Sequence, residues 1–138
     1  MISSTELLII ERIVISAILG AIIGYEREIE HKPAGLRTHM LVCCGSTLFT
    51  TISFMGFSSG DPTRIAASVI AGIGFICAGV VMQRGMEVIG ITTAATVWIT
   101  AGIGMAIGVG YYMSAIITTI MTLIVLRLKT LERTHKMK

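Results

Sequence analysis

The chain is poor in charge. Charged residues make up 14% of its 138 residues and aromatic residues 6%, whereas soluble domains carry about 25% charged residues. Glu87 is the only charged side chain between Arg84 and Arg127. Apolar residues reach 54%, and the mean hydropathy is +0.85. This composition excludes an ordinary soluble domain and predicts a membrane protein.

The chain also lacks the residue patterns of enzymes and metal proteins. Its cysteines, Cys43, Cys44 and Cys77, fall inside apolar runs without metal-ligand spacing, which predicts reduced thiols. The histidines have no HExxH-like spacing, and there is no Ser/His pattern, Gly-rich phosphate loop or nucleic-acid patch. We therefore predict no catalytic residues, no metal site, no cofactor and no nucleic-acid partner.

Long apolar runs make up most of the chain. About 20 apolar residues are needed to cross a bilayer as a helix. Five such spans are predicted, and they leave no room for a soluble domain: 7–25, 38–57, 63–83, 90–109 and 111–128. The predicted fold is an all-α polytopic membrane helix bundle forming a single domain over 1–138. The lipid bilayer around this bundle is the first expected partner.

Local signals set the predicted helix ends. Ser3 and Glu6 have capping-box spacing at the start of the first helix. Asp61 followed by Pro62 is typical of the start of a helix. The glycines in 108–110 predict a tight turn between the last two spans, with one kinked helix as the alternative.

The distribution of Lys and Arg predicts the orientation. Cytoplasmic loops carry an excess of these residues. One side of the predicted bundle would hold only Arg12 and Arg64, and the other would hold Arg27, Lys32, Arg37, Arg84, Arg127, Lys129, Arg133, Lys136 and Lys138. This bias places the N-terminus outside and the C-terminus in the cytoplasm.

The densest cluster of charge lies in the segment 24–39, between two apolar runs. Glu26, Arg27 and Glu28 fall at the end of the first span, and Arg37 and Thr38 at the start of the second. A hairpin would bring these ends together, so that carboxylates meet the positive end of the second helix beside Arg37. Two interpretations stay open. One is an ion pair that ties the helices together, and the other is a cytoplasmic-face site for a partner, a lipid phosphate or a cation.

His39 follows this cluster and is predicted at the membrane interface, where it could report pH or simply make a local hydrogen bond.

Small residues recur at helical spacing in two spans. Ala67, Ala71, Gly74 and Ala78 form such a stripe in span 3, and Gly90, Ala94, Val97, Ala101, Gly104 and Gly108 form one in span 4. Small residues allow helices to approach closely in lipid. Spans 3 and 4 are therefore predicted as the close-packed centre, and a homodimer through such faces is a further expectation.

Three motifs resemble the signature of the MgtC/SapB family of bacterial membrane proteins. The first is Gly24-Tyr-Glu-Arg-Glu28 with Ala34-Gly-Leu-Arg-Thr-His39. The second is the stretch from Gly72 to Gly79, in which Cys77 replaces the usual glycine. The third is Gly90-Ile-Thr-Thr-Ala-Ala-Thr-Val-Trp98. They occur in the family's order, and the chain is similar to the short members that consist of the membrane domain alone.

The resemblance implies a multi-pass protein of the bacterial inner membrane without established enzyme activity. The family is associated with growth at low magnesium, acid stress, virulence and intracellular survival. Its MgtC branch is linked to restraint of the ATP synthase, which is therefore an expected partner. The family's charged positions match Glu26, Arg27, Glu28 and Arg37 here, and the threonine of the same motif matches Thr38. The family's threonine pair matches Thr92 and Thr93.

Together these observations favour a non-enzymatic regulatory protein that acts through contacts at the charged loop. A magnesium or proton-linked transporter is the alternative. Against it, no span carries a carboxylate at mid-membrane, where ion and proton pathways usually place one.

Overall fold

The computed structural model describes residues 3–56, 61, 63–84 and 86–135. It contains α1 (Ser4–Ile29), α2 (Leu36–Met55), α3 (Thr63–Val80), β1 (Met82–Arg84), β2 (Glu87–Ile89), α4 (Ile91–Val109) and α5 (Tyr112–His135). The predicted all-α membrane bundle is confirmed. Helices α1 to α4 are each long and apolar enough to cross a membrane, whereas α5 has a shorter apolar part, Tyr112–Leu128. The fifth span therefore stays a prediction, as does the orientation of the termini.

The predicted caps are present at the helix ends. At the start of α1 the hydroxyl of Ser3 accepts the Glu6 backbone N–H, while the Glu6 carboxylate accepts the N–H of Ser3 at 2.7 Å. Asp61 Oδ1 accepts the backbone N–H of Thr63 at 2.9 Å, where α3 begins. Gly110 ends α4 with a left-handed φ of 101°, a conformation that glycine adopts without a Cβ penalty. The chain thus reverses between α4 and α5, and the alternative of one kinked helix is wrong.

A short hairpin between α3 and α4 is absent from the sequence prediction, which continued span 3 to residue 83. Strands β1 and β2 pair antiparallel, with Met82 opposite Ile89. Gly90 then turns the chain into α4 with a φ of 95°, and a Cβ there would lie 2.2 Å from the Val80 carbonyl oxygen. Because β1 begins at Met82, α3 ends at Val80, which is earlier than its apolar character indicated.

Helices α2 and α4 run parallel through the centre of the bundle, and α1 packs against α2. A Cβ at Gly104 would lie 2.3 Å from the carbonyl oxygen of Cys43, and one at Gly24 would lie 2.7 Å from Cα of Leu36. Both helix pairs therefore touch backbone to backbone, as small residues allow in lipid. The stripe predicted on span 4 is confirmed as a packing face, since its members Val97, Ala101, Gly104 and Gly108 are buried.

The role predicted for the stripe on span 3 is wrong. Its four residues, Ala67, Ala71, Gly74 and Ala78, are all exposed. Helix α3 instead contacts the bundle through Ile73, Cys77 and Val80, which pack with Val97 and Ala101 of α4. Larger side chains hold α3 against α4, so the closest helix approaches lie between α1, α2 and α4 and not between spans 3 and 4.

Candidate functional site

The charged loop, defined here as residues 26–39, closes the α1–α2 hairpin. Arg27 is buried, with 4% of its surface exposed, and it forms a two-pronged ion pair with its neighbour Glu26. Arg27 Nη2 donates to Glu26 Oε1 at 2.7 Å, and Nε donates to Oε2. Two-pronged guanidinium–carboxylate pairs are among the strongest ionic contacts in proteins. The charges of these two residues are therefore satisfied within the last turn of α1.

Glu28 caps the next helix. Gly35, the N-cap residue of α2, has no side chain to offer, and Glu28 Oε2 takes its place by accepting the Leu36 N–H at 2.7 Å. A carboxylate at this position also complements the positive end of the helix dipole. The contact confirms the prediction that a carboxylate from the first helix meets the start of the second.

The turn that follows α1 is closed by backbone bonds. The N–H of His31 donates to the Glu28 carbonyl at 3.0 Å, and the N–H of Lys32 donates to the Arg27 carbonyl at 3.0 Å. His31 adopts a left-handed φ of 51°, which is uncommon outside glycine but is visited by histidine. This Schellman-type closure and the Glu28 cap together make the loop a defined structure.

The predicted ion pair with Arg37 is wrong. Arg37 is exposed, and among the described residues no carboxylate lies within salt-bridge distance of it. Thr38 beside it is half-buried. The reason is that Glu26 is already paired with Arg27 and Glu28 with the backbone of α2. Arg37 is consequently left as a cation on the outside of the closed hairpin.

His39 is fully buried between α2 and α4, and its place at the membrane interface stays a prediction. Its Nδ1 contacts the Gly35 carbonyl oxygen at 2.9 Å, and its Nε2 lies 3.4 Å from Thr96 Oγ1 of α4. The local hydrogen bond expected for this residue is present. Because α2 begins at Leu36, His39 falls one turn inside the helix and faces α4 instead of the surface.

The two threonines matched to the family motif separate in the structure. Thr93 is buried, with 2% of its surface exposed, and lies in the first turn of α4. Thr92 is exposed. Of the other predicted residues, Glu28 of α1 and His39 of α2 both bond to the backbone at the start of α2, and Glu26 pairs with Arg27 nearby. Arg37 and Thr92 present themselves outward.

Sequence reasoning missed a row of buried hydroxyls between α2 and α4, called here the hydroxyl seam. Its members are Ser46, Thr47, Thr50 and Thr51 on α2 and Thr93, Thr96 and Thr100 on α4. Thr47 Oγ1 donates to the Gly104 carbonyl at 2.8 Å, and Thr51 Oγ1 donates to the Gly108 carbonyl at 3.2 Å. Such bonds across helices stabilise packing in lipid. The spacing of the threonines in α4, at steps of three and four residues, is the signal that could have found it.

Arg12 closes the seam at the end opposite the charged loop. Its Nη1 donates to the Gly108 carbonyl at 2.6 Å, and the side chain is half-buried. The same carbonyl accepts the Thr51 hydroxyl, so α1, α2 and α4 meet at one backbone oxygen.

Comparison with known proteins agrees with the motifs. A model of the MgtC family matches residues 13–135. The chain is 46% identical over 123 residues to the Escherichia coli (strain K12) protein named "Putative magnesium transporter YhiD", covering 83% of this chain and 57% of that protein. It is 48% identical over 106 residues to "Protein MgtC" of Salmonella typhimurium (strain LT2), covering 77% and 46%. A protein of Haemophilus influenzae, of uncharacterized function, is 38% identical over 136 residues, covering 91% and 57%.

The chain thus spans about half the length of the curated relatives it matches. No solved structure matches it.

Proposed function

Since this chain belongs to the MgtC family, we propose that it is a non-enzymatic regulatory protein of the inner membrane that acts through contacts at its charged loop. The observation that carries the proposal is the exposure of Arg37 beside neighbours whose charges are satisfied inside the hairpin. A cation that stabilises nothing within the described part of the chain is free to bind a partner.

The loop is built to hold Arg37 in a fixed place. Arg37 lies in the first turn of α2, whose N-terminus is tied to α1 by the Glu28 carboxylate. A side chain on a fixed helix loses less freedom on binding than one on a mobile loop. Arginine presents a planar fork that suits carboxylates and phosphates. The partner that we propose for this surface is a membrane protein with exposed carboxylates at the same membrane face.

The family resemblance supports a stress role, in which the protein supports growth at low magnesium or survival under acid or inside host cells. It also supports the ATP synthase as a partner. A homodimer is a further proposal for the assembly, with the exposed small residues of α3 available as a contact face.

Charge reversal at Arg37 tests the proposal. We expect Arg37→Glu to fold and insert normally, with an unfolding free energy within about 0.5 kcal/mol of the native chain, because surface substitutions away from contacts are mild. It should nevertheless fail to restore growth at limiting magnesium in a strain deleted for the gene, whereas Arg37→Lys restores it in part. Arg127→Glu is the matched control, since Arg127 is also exposed. Full growth with Arg37→Glu would refute the proposal, and so would equal loss with Arg127→Glu.

A transporter is the second candidate. The name of the E. coli relative YhiD supports it, and so does the hydroxyl seam, which places polar groups deep between α2 and α4. Purified protein in liposomes decides between the two. Saturable Mg²⁺ or proton flux would favour the transporter, and flux no greater than in empty liposomes supports the regulatory role.

A further inference from the structure

An open groove of about 490 Å³ separates α2 from α3. Its walls run from Leu41 to Phe49 on α2 and from Ile65 to Ile76 on α3, and they are almost entirely apolar. Gly72 lies in the α3 wall, and a Cβ there would meet no atom within 4 Å. Leu41 and Phe49, exposed by 73% and 54%, form part of its rim. The groove is therefore open toward the lipid side of the bundle.

Two opposite charges lie at the start of α3, next to one end of this groove. Arg64 precedes Ser68 and Gly72 by steps of four residues, so the three lie along one helix stripe, and the last two line the groove. Arg64 is adjacent to Ile65, which lines the groove, and side chains on a helix lean toward its N-terminus, so we expect its guanidinium just beyond the mouth of the groove. Asp61 lies one turn further back, at the cap of α3.

Both charges are available to a ligand. Within the described ranges, Arg64 has no hydrogen-bond or salt-bridge partner for its guanidinium, and the bonds to the Asp61 carboxylate all reach Oδ1. The hydroxyl and backbone N–H of Thr63 hold the pKa of Asp61 below its ordinary value, and Arg64 adds to this effect. Asp61 is therefore ionised at neutral pH and presents Oδ2.

The lining of the groove suits a hydrocarbon chain, because its walls offer almost no polar group to a ligand. A single hydrocarbon chain is thinner than a helix and needs no hydrogen-bond partner, which suits the apolar walls.

We infer that the α2–α3 groove binds one acyl chain of a phospholipid whose headgroup carries both a phosphate and a primary ammonium, as in phosphatidylethanolamine. Arg64 binds the phosphate, and Asp61 accepts a hydrogen bond from the ammonium. The charge pair at the mouth matches this zwitterion better than it matches phosphatidylglycerol, which lacks an ammonium, or phosphatidylcholine, whose ammonium has no N–H to donate.

Titration of the purified chain with lipids of matched acyl chains, read by native mass spectrometry, tests the headgroup. We expect the apparent Kd to be about fivefold lower for phosphatidylethanolamine than for the other two lipids. Arg64→Gln should weaken all three. Asp61→Asn should remove only the preference for phosphatidylethanolamine, because asparagine still caps α3. Equal binding of phosphatidylglycerol, or a preference that survives Asp61→Asn, would overturn the inference.

A matched pair of variants tests whether an acyl chain occupies the groove. Gly72→Leu adds a side chain inside the groove, where a Cβ meets no atom within 4 Å, and should abolish the lipid adducts. Gly74→Leu lies outside the groove on the same helix and should leave them intact. The same spectra report oligomeric mass. If Gly72→Leu changed the proportion of dimer and left lipid binding unaltered, a second copy of the chain would be the occupant and the inference would be wrong.

Discussion

Replacing Arg27 with glutamine is expected to lower the free energy of unfolding by about 3–5 kcal/mol, because it leaves the carboxylate of Glu26 buried without its partner. The side chains of Arg27 and Glu26 are 5% and 11% exposed, so water cannot take over the lost contact. Denaturation in detergent micelles, followed by circular dichroism, measures this loss.

Arg37→Gln is the matched control for this variant. It removes a guanidinium from the same loop, but one that is exposed and has no carboxylate partner in the described part of the chain. We expect a change within about 0.5 kcal/mol. If the two arginine variants were equally stable, the buried pair would contribute nothing to the fold.

Gly104→Ala is also expected to lower the free energy of unfolding. The added Cβ would lie 2.3 Å from the Cys43 carbonyl oxygen and 2.9 Å from the Ser46 side chain, so α2 and α4 must move apart. Overpacking of this kind costs about 1–3 kcal/mol. The separation should also break the bond from Thr47 to the Gly104 carbonyl. Unfolding in increasing dodecyl sulfate should therefore begin at a lower detergent fraction.

Gly102→Ala provides the control for the packing effect. Gly102 is on the same helix but is exposed, and a Cβ there would meet nothing within 4 Å. Alanine favours helix over glycine by about 1 kcal/mol, so this variant should be as stable as the native chain or more stable. A loss of stability at Gly102 equal to that at Gly104 would mean that helix propensity, and not contact between α2 and α4, explains both.

Local sequence signals predicted the helices well, because the causes of helix ends are themselves local. The capping box at Ser3 and Glu6, the cap at Asp61 and the glycine turn at Gly110 are all formed by residues within a few positions of each other. The hairpin before α4 was missed, since it depends on how closely Gly90 approaches the backbone of Val80. That approach is a tertiary contact, and the sequence contains no pattern that reports it.

The sequence predicted which charged residues lie at the candidate site, but not which of them form an ion pair. The prediction that a carboxylate of α1 reaches the start of α2 is correct, since Glu28 contacts Leu36. The pair between Glu26 and Arg27 was not predicted, because adjacent residues on a helix point about 100° apart and are not expected to meet. Long, flexible side chains let Glu26 reach Arg27 all the same.

The packing of the small-residue stripes could also be predicted only in part. The stripes on spans 3 and 4 have the same spacing, yet only the stripe on α4 packs against a neighbouring helix of this chain. The spacing of small residues indicates that a helix face allows close approach, but it does not show which helix packs against that face. For α4 that helix is α2, where Ser46, Thr47 and Thr50 supply the contacts.

In the α1–α2 hairpin, Glu26 and Arg27 pair with each other, Glu28 caps α2, and Arg37 is exposed. Two double-mutant cycles on unfolding free energy test this arrangement most directly, one between Glu26 and Arg27 and one between Glu28 and Arg37. We expect a coupling of about 1–3 kcal/mol in the first cycle and less than about 0.5 kcal/mol in the second. Strong coupling to Arg37 together with none between Glu26 and Arg27 would contradict the account.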